Sequence, residues 1–306
     1  MRNMFARTFY EAARHDPRLC VVVADISPAG SMEQFRNEYP KRFVNAGVAE
    51  QIMIGMCAGL AMRGLRPFAY TIATFALFRP YEFVRDDLCY QELPVTVVGV
   101  GGGVTYSTLG GTHHAMEDVA IASAMPNMRV IAPCDPEEAR AATQWCLAQE
   151  DGPVYLRLGK AGEPVITAEA SSPFEFGKLR FLREGRDACI LGYGLVLKMG
   201  MDAAKLLEER GISVAVASVH TLKPLDREGI ARTLAKFSRI ITIEEMVPRG
   251  SLGEAVKALA WESSAKCRID CLSLKHEFVH VFGSHEQLLA AHGLSVKDIL
   301  RRFDDA

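Results

Sequence analysis

Short apolar runs alternate with amphipathic helical patterns along almost the whole chain, and this alternation limits the possible folds more than any other feature. Runs at residues 19–24, 67–70, 95–100, 129–132 and 154–158 predict strands; helical periodicity separates them near 4–14, 49–62, 74–91, 115–124 and 136–149. Strands that are apolar throughout and joined by helices belong to a mostly parallel sheet covered on both faces. Around 159–178 the pattern breaks into Lys-Ala-Gly-Glu-Pro and Ser-Ser-Pro with no periodicity. It then resumes, with strands at 188–192, 214–219, 240–243 and 269–274, helices at 195–210, 226–236 and 253–261, and two closing helices near 285–292 and 295–303. The expected fold class is α/β: two three-layer α/β/α domains with mostly parallel sheets, residues 1–165 and 181–306, joined by a linker at 166–180.

Composition narrows the function. The 306 residues suffice for two cores, and 35 basic against 37 acidic residues (net −2) give none of the basic footprint of a nucleic-acid binder. The start, Met1-Arg-Asn-Met-Phe-Ala-Arg, has no apolar stretch of the secretory kind. The uncharged stretch 93–116 is crowded with Gly, Thr, Ser and His, so it reads as a strand and a loop rather than a membrane helix. Eight cysteines without a CxxC pair read as reduced, buried thiols of a cytoplasmic protein, with no metal site expected. Cys267 and Cys271 lie on one strand pattern that places both on the same face.

Three segments carry candidate chemistry. Gly99-Val-Gly-Gly-Gly follows a strand, but no helix opens after it and the dinucleotide spacing is not met. The loop runs on through Thr105-Tyr-Ser-Thr-Leu-Gly-Gly-Thr-His-His, small, hydroxylated and imidazole residues beyond a strand's carboxyl end, where an open α/β sheet places its ligand. Glu50 and Gln51 open a helix whose later turns are apolar and small; Glu50 either caps that helix or shares a proton with a ligand. Phe75, Phe78 and Tyr81 form one aromatic stripe, which is either core or a stacking surface for a flat heteroaromatic ring.

Together these segments resemble the C-terminal half of transketolase, a thiamine diphosphate enzyme. Gly47-Val-Ala-Glu-Gln, Thr74-Phe-Ala-Leu-Phe-Arg-Pro-Tyr, Gly110-Gly-Thr-His, Pro133-Cys-Asp-Pro and Gly152-Pro-Val-Tyr-Leu-Arg stand in family order, and Leu222-Lys-Pro-Leu-Asp and Glu244-Glu extend the likeness into the second half. The resemblance covers the pyrimidine-binding and C-terminal domains. In this family Mg2+ and the diphosphate sit in a separate domain with a Gly-Asp-Gly motif, which these residues do not contain. The resemblance thus implies a partner polypeptide holding Mg2+ and the diphosphate, in an α2β2 assembly, or a homodimer of this chain alone.

The resemblance also implies roles. Glu50 would hydrogen-bond the aminopyrimidine ring and favour its imino tautomer, Phe78 would stack on that ring, and Phe75 and Tyr81 would wall the pocket. His113 would bond substrate oxygens; Arg157 and Arg2 would pair with a sugar phosphate. Asp25 would face the cofactor, or serve as a turn residue. Likewise His113 and His114 could be solvated loop histidines and Arg157 a surface arginine. Sugar-transferring transketolases have Asp-Gly-Pro-Thr-His where Leu109-Gly-Gly-Thr-His stands here, and a His where Gly101 falls, which points away from an ordinary pentose phosphate donor. The expected function is a subunit of a transketolase-like enzyme transferring a two-carbon ketol unit between sugars. The alternatives are a ketoacid dehydrogenase E1 β-type subunit, which the Thr-His-His loop disfavours, a deoxyxylulose phosphate synthase relic and a noncatalytic paralogue.

Overall fold

The computed structural model describes residues 1–26, 30–170 and 172–304, so Ser171 of the expected linker lies outside the described residues. Its strands are β1 (Leu19–Val23), β2 (Phe43–Asn45), β3 (Arg66–Ile72), β4 (Thr96–Val100), β5 (Arg129–Ile131), β6 (Val154–Leu158), β7 (Arg180–Arg183), β8 (Ala188–Gly192), β9 (Val214–Ser218), β10 (Thr221–Lys223), β11 (Arg239–Ile243) and β12 (Arg268–Leu272). They form a seven-stranded sheet in the order β10-β5-β6-β4-β3-β1-β2 and a five-stranded sheet in the order β12-β11-β8-β9-β7. All pairings are parallel except β10 with β5 and β7 with β9. The α/β expectation holds for both halves.

Alternate residues of each strand go to opposite faces, and each face has its own cover. On one side Phe5 and Phe9, from the helix Arg2–Ala13, pack with Val21, Phe68, Tyr70, Val98 and Leu156. On the other, Val22, Ala69, Val97 and Tyr155 lie under Met53, Ile54 and Cys57 of the helix Glu50–Met62. This second cluster runs on through Met116 and Val247 into the core of the five-stranded sheet, at Ile190, Val216 and Ile241. The two halves therefore share one apolar interior.

Two expectations are corrected. The helix expected at 74–91 is broken into Ala73–Leu77, Tyr81–Phe83 and a π-helical stretch Val84–Tyr90, because Pro80 cannot donate a hydrogen bond and clashes with the preceding turn. The helix expected from 115 starts at Asp118, since Ala115 is bridged to Gly103 and the Met116 carbonyl accepts the Val247 N–H. The linker is also fastened. Asp135 caps the helix Pro136–Ala148 through the Glu138 N–H at 2.7 Å and accepts the Ile166 N–H, Thr167 N–H and Thr167 hydroxyl at 2.8 Å each. Glu138 beside it takes the Ser218 hydroxyl (2.9 Å) and Arg180 (3.2 Å), so Pro133-Cys-Asp-Pro is a fastening between the halves.

In the larger sheet β1 pairs with β2 on one side and β3 on the other, so the chain leaves β1 in both directions. Ligands of open α/β sheets bind outside the strand ends at such a point. The segments after β1 (Asp25), β2 (Gly47 to Glu50), β3 (Thr74 to Tyr81) and β4 (Gly101 to His114) all emerge at this edge.

Candidate active site

Glu50 is the first residue of its helix and its side chain is only 3% exposed. Its Oε1 accepts a hydrogen bond from Arg79 Nη1 at 2.9 Å. Arg79, 44% exposed, lies over the Phe75 ring at 4.0 Å, and Phe75 meets His113 edge-on with centroids 5.2 Å apart. His113 in turn is held near Thr112 Oγ1 (3.0 Å) and faces Tyr106 at 6.2 Å. The fold thus brings Glu50, Phe75 and His113 into one row, with Arg79 and Tyr106 as members that sequence reading missed.

Phe78 and Tyr81 stand beside this row. With Glu117, Ile121 and Phe278 they line an open groove of about 450 Å3. Phe78 also walls a recess of about 230 Å3 whose lining includes Thr74, Thr112, His114, Met116 and Glu117. His114 is buried there with both ring nitrogens lacking a hydrogen-bond partner, and burial pushes its pKa down. Burial, then the neighbouring Asp118, pushes the Glu117 carboxyl up. Phe278 reaches this edge from the second half, which no local pattern announced.

The other predicted residues stand apart. Asp25 is in the left-handed region (φ 47°), its backbone N–H bonded to Asn45 Oδ1 at 3.0 Å and its Oδ1 accepting from Asn45 Nδ2 at 3.4 Å. Arg2 has a buried Nε without a partner, and its charge reaches Tyr70 and Tyr106. Lys160, on the far side, lies over the Tyr106 ring at 4.9 Å. Arg157 is not a surface arginine: its guanidinium is buried, with Nε bonded to Asp118 Oδ2 at 2.8 Å and Nη2 to the Glu245 carbonyl at 3.0 Å. Burial alone would lower its pKa, but Asp118, Tyr193, Glu245 and Tyr155 together outweigh it and the net shift is upward.

The glycine run is a set of sockets rather than a phosphate cradle. A Cβ at Gly99 would lie 2.6 Å from the Tyr155 hydroxyl, at Gly101 2.2 Å from the Tyr106 ring, at Gly102 2.2 Å from Arg157 and at Gly103 2.3 Å from Glu245. The Tyr106 ring occupies the space that a side chain at position 101 would take. Among the described residues no group of three or more acidic, His or Cys side chains is arranged to hold a metal, and no helix is long and apolar enough to cross a membrane.

Residues 1–162 match the family described as transketolase, pyrimidine binding domain, and residues 177–299 match transketolase, C-terminal domain. The chain belongs to the transketolase family. Among its relatives, one of the subunits of the apulose-4-phosphate transketolase of Phocaeicola vulgatus is 34% identical over 300 residues, covering 98% of this chain and 95% of that one. The 6-deoxy-6-sulfo-D-fructose transketolase subunit SqwH of a Clostridium species is 36% identical over 303 residues, with 98% and 92% covered. The 1-deoxy-D-xylulose-5-phosphate synthase of Symbiobacterium thermophilum is 33% identical over 302 residues, but this transketolase chain spans only 46% of it. A solved split-gene transketolase, described as an inactive β4 tetramer, superposes with a TM-score of 0.87 at 33% identity and covers 100% of this chain and 97% of that one.

Proposed function

We propose that this chain is the pyrimidine-binding subunit of a split, thiamine diphosphate-dependent transketolase, and that a second polypeptide supplies the Mg2+ and diphosphate site. The observation that carries the reading is a buried carboxylate at a helix start, Glu50, bonded to Arg79 of the same segment whose Phe78 and Tyr81 line an aromatic groove with Phe278. The fit to a flat heteroaromatic ring is supported by His114, buried in the wall of the adjoining recess, and by Arg79, a half-exposed partner able to leave Glu50. When bound, the cofactor supplies the carbanion chemistry.

This chain's residues do the rest. Glu50 holds a proton at the pyrimidine ring nitrogen, and the burial that isolates it strengthens that bond. Phe78 and Tyr81 orient the ring, and His113 donates to or accepts from oxygens of the sugar. With Arg157 paired to Asp118, Lys160 over the Tyr106 ring, Arg2, whose charge reaches Tyr106, and the half-exposed Arg79 over Phe75 are cations available to a terminal anion. Leu109 and the Tyr106 ring over Gly101 favour a modified or deoxy ketose as donor. Support for a separate partner comes from relatives of similar length named as subunits. The free cysteines, six of the eight buried and Cys267 and Cys271 partly so, suit a reducing cytoplasm.

The test is reconstitution. The purified chain with cofactor and Mg2+ should not turn over any ketose donor, and adding the complementary Gly-Asp-Gly-bearing chain should restore turnover; activity of the chain alone refutes the split reading.

A further inference from the structure

Glu245, in the segment after β11, reaches across from the second half into the glycine run. Its side chain is buried, and Oε1 accepts the Val104 N–H at 2.7 Å while lying 2.7 Å from His285 Nε2. Gly103, at φ 62°, leaves the space that this carboxylate fills. The neighbouring bonds converge on the same place. Gly103 and Ala115 bridge the base of the loop, the Val247 N–H bonds the Met116 carbonyl at 2.9 Å, and the Glu245 carbonyl takes Arg157, which holds Asp118 at the start of the next helix. Both ends of the 104–114 loop, which carries His113, are therefore fastened to residues 245–247.

We propose that Glu245 is a positioning residue, which with His285 sets the 104–114 loop and hence His113 from the second half of the chain. The proposal rests on the transketolase reading only for the role of His113. His285 is faced by Glu245, Arg157 and Glu286, and its open side lines a cavity of about 680 Å3 that also holds Glu163, Lys198 and Asp202, so it exchanges protons with solvent. Burial pushes its pKa down, but the Glu245 carboxylate and its hydrogen bond outweigh that and hold it above the ordinary histidine value. The clamp is then tightest with His285 protonated, and it slackens as pH rises through the raised pKa.

Hydrogen exchange of the whole chain, read by mass spectrometry over peptides spanning 102–116, tests this without any need for activity. Glu245→Ala should speed exchange of the loop by about tenfold or more while the helix Glu50–Met62 keeps its protection. Wild-type loop exchange, corrected for intrinsic rate, should rise with pH. His285→Gln, which can donate to Glu245 at every pH, should flatten that rise. In the assembled enzyme Glu245→Ala should lower kcat more than it alters the donor KM. If Glu245→Ala does not fold, Glu245→Gln and His285→Gln carry the test. Unchanged loop exchange in these variants overturns the proposal, and so does a uniform loss of protection across the chain, which would make Glu245 a fold-holding residue only.

Discussion

Arg157→Met separates two roles for one arginine. Asp118 is 0% and Arg157 6% exposed, and Asp118 Oδ1 already has no partner, so removing the guanidinium strands a carboxylate in the interior with only the Tyr155 hydroxyl, at 2.8 Å, for compensation. Breaking a buried pair from one side costs about 3–5 kcal/mol. The Glu245 carbonyl also loses its donor, at about 1 kcal/mol. Methionine fills much of the volume, so cavity formation adds little. The variant should therefore lose about 4–6 kcal/mol in urea titration, with an unchanged slope if the shared core keeps unfolding cooperative. Adding Asp118→Asn should return part of the loss, because the buried charge goes with it. A variant within about 1 kcal/mol of wild type, together with a raised KM for an anionic donor, would refute this account and make Arg157 a substrate ligand after all.

Three further outcomes follow from the site. Glu50→Gln keeps an acceptor but no charge, and turnover of the assembled enzyme should fall by at least about a hundredfold with the melting temperature nearly unchanged; near-normal turnover would make Glu50 a simple helix-start residue. Gly103→Ala forces a Cβ into Glu245 at a positive φ, so it should cost about 2–4 kcal/mol in chemical denaturation, and a loss below about 1 kcal/mol would show that the socket is loose. Donor choice should favour a deoxy or otherwise modified ketose over xylulose 5-phosphate by about 1–3 kcal/mol in kcat/KM, since a buried hydroxyl without a partner is penalised; the reverse preference would mean that other residues replace the missing contacts.

The alternation of strands and helices was legible because each long element carries its own periodicity. The strands β2 (Phe-Val-Asn) and β10 (Thr-Leu-Lys) were not: unlike the equally short β5, which continues apolar through Val130, Ile131 and Ala132, they carry no apolar run and owe their pairing to the neighbours they meet. Glu50 and the Phe75, Phe78, Tyr81 stripe could be read as a candidate site because both lie within single elements. Arg79 was hidden: its partner is 29 residues away and only the fold brings them together. The burial of Arg157 was readable too. In Val-Tyr-Leu-Arg-Leu it shares a face with Tyr155, and a sheet covered on both sides leaves no water for a mid-strand arginine, so a buried carboxylate partner was implied. Which carboxylate could not be known from spacing, since Asp118 lies beyond an irregular loop and a helix that starts later than its apolar pattern suggests.

The strand β10 changes what the two-part division means for the living chain. It is made after the apparent boundary yet lies against β5, which without it would be an edge of the first sheet, with Thr221 opposite Ile131 and Lys223 opposite Val130. Until residue 223 has left the ribosome, β5 presents a bare row of amide and carbonyl groups, the kind of edge that recruits foreign strands. A fragment ending near the linker would keep that edge open permanently and should self-associate. The region that looks like a hinge in the sequence is thus a poor place to cut, and synthesis of the first sheet is complete only when the second is half made.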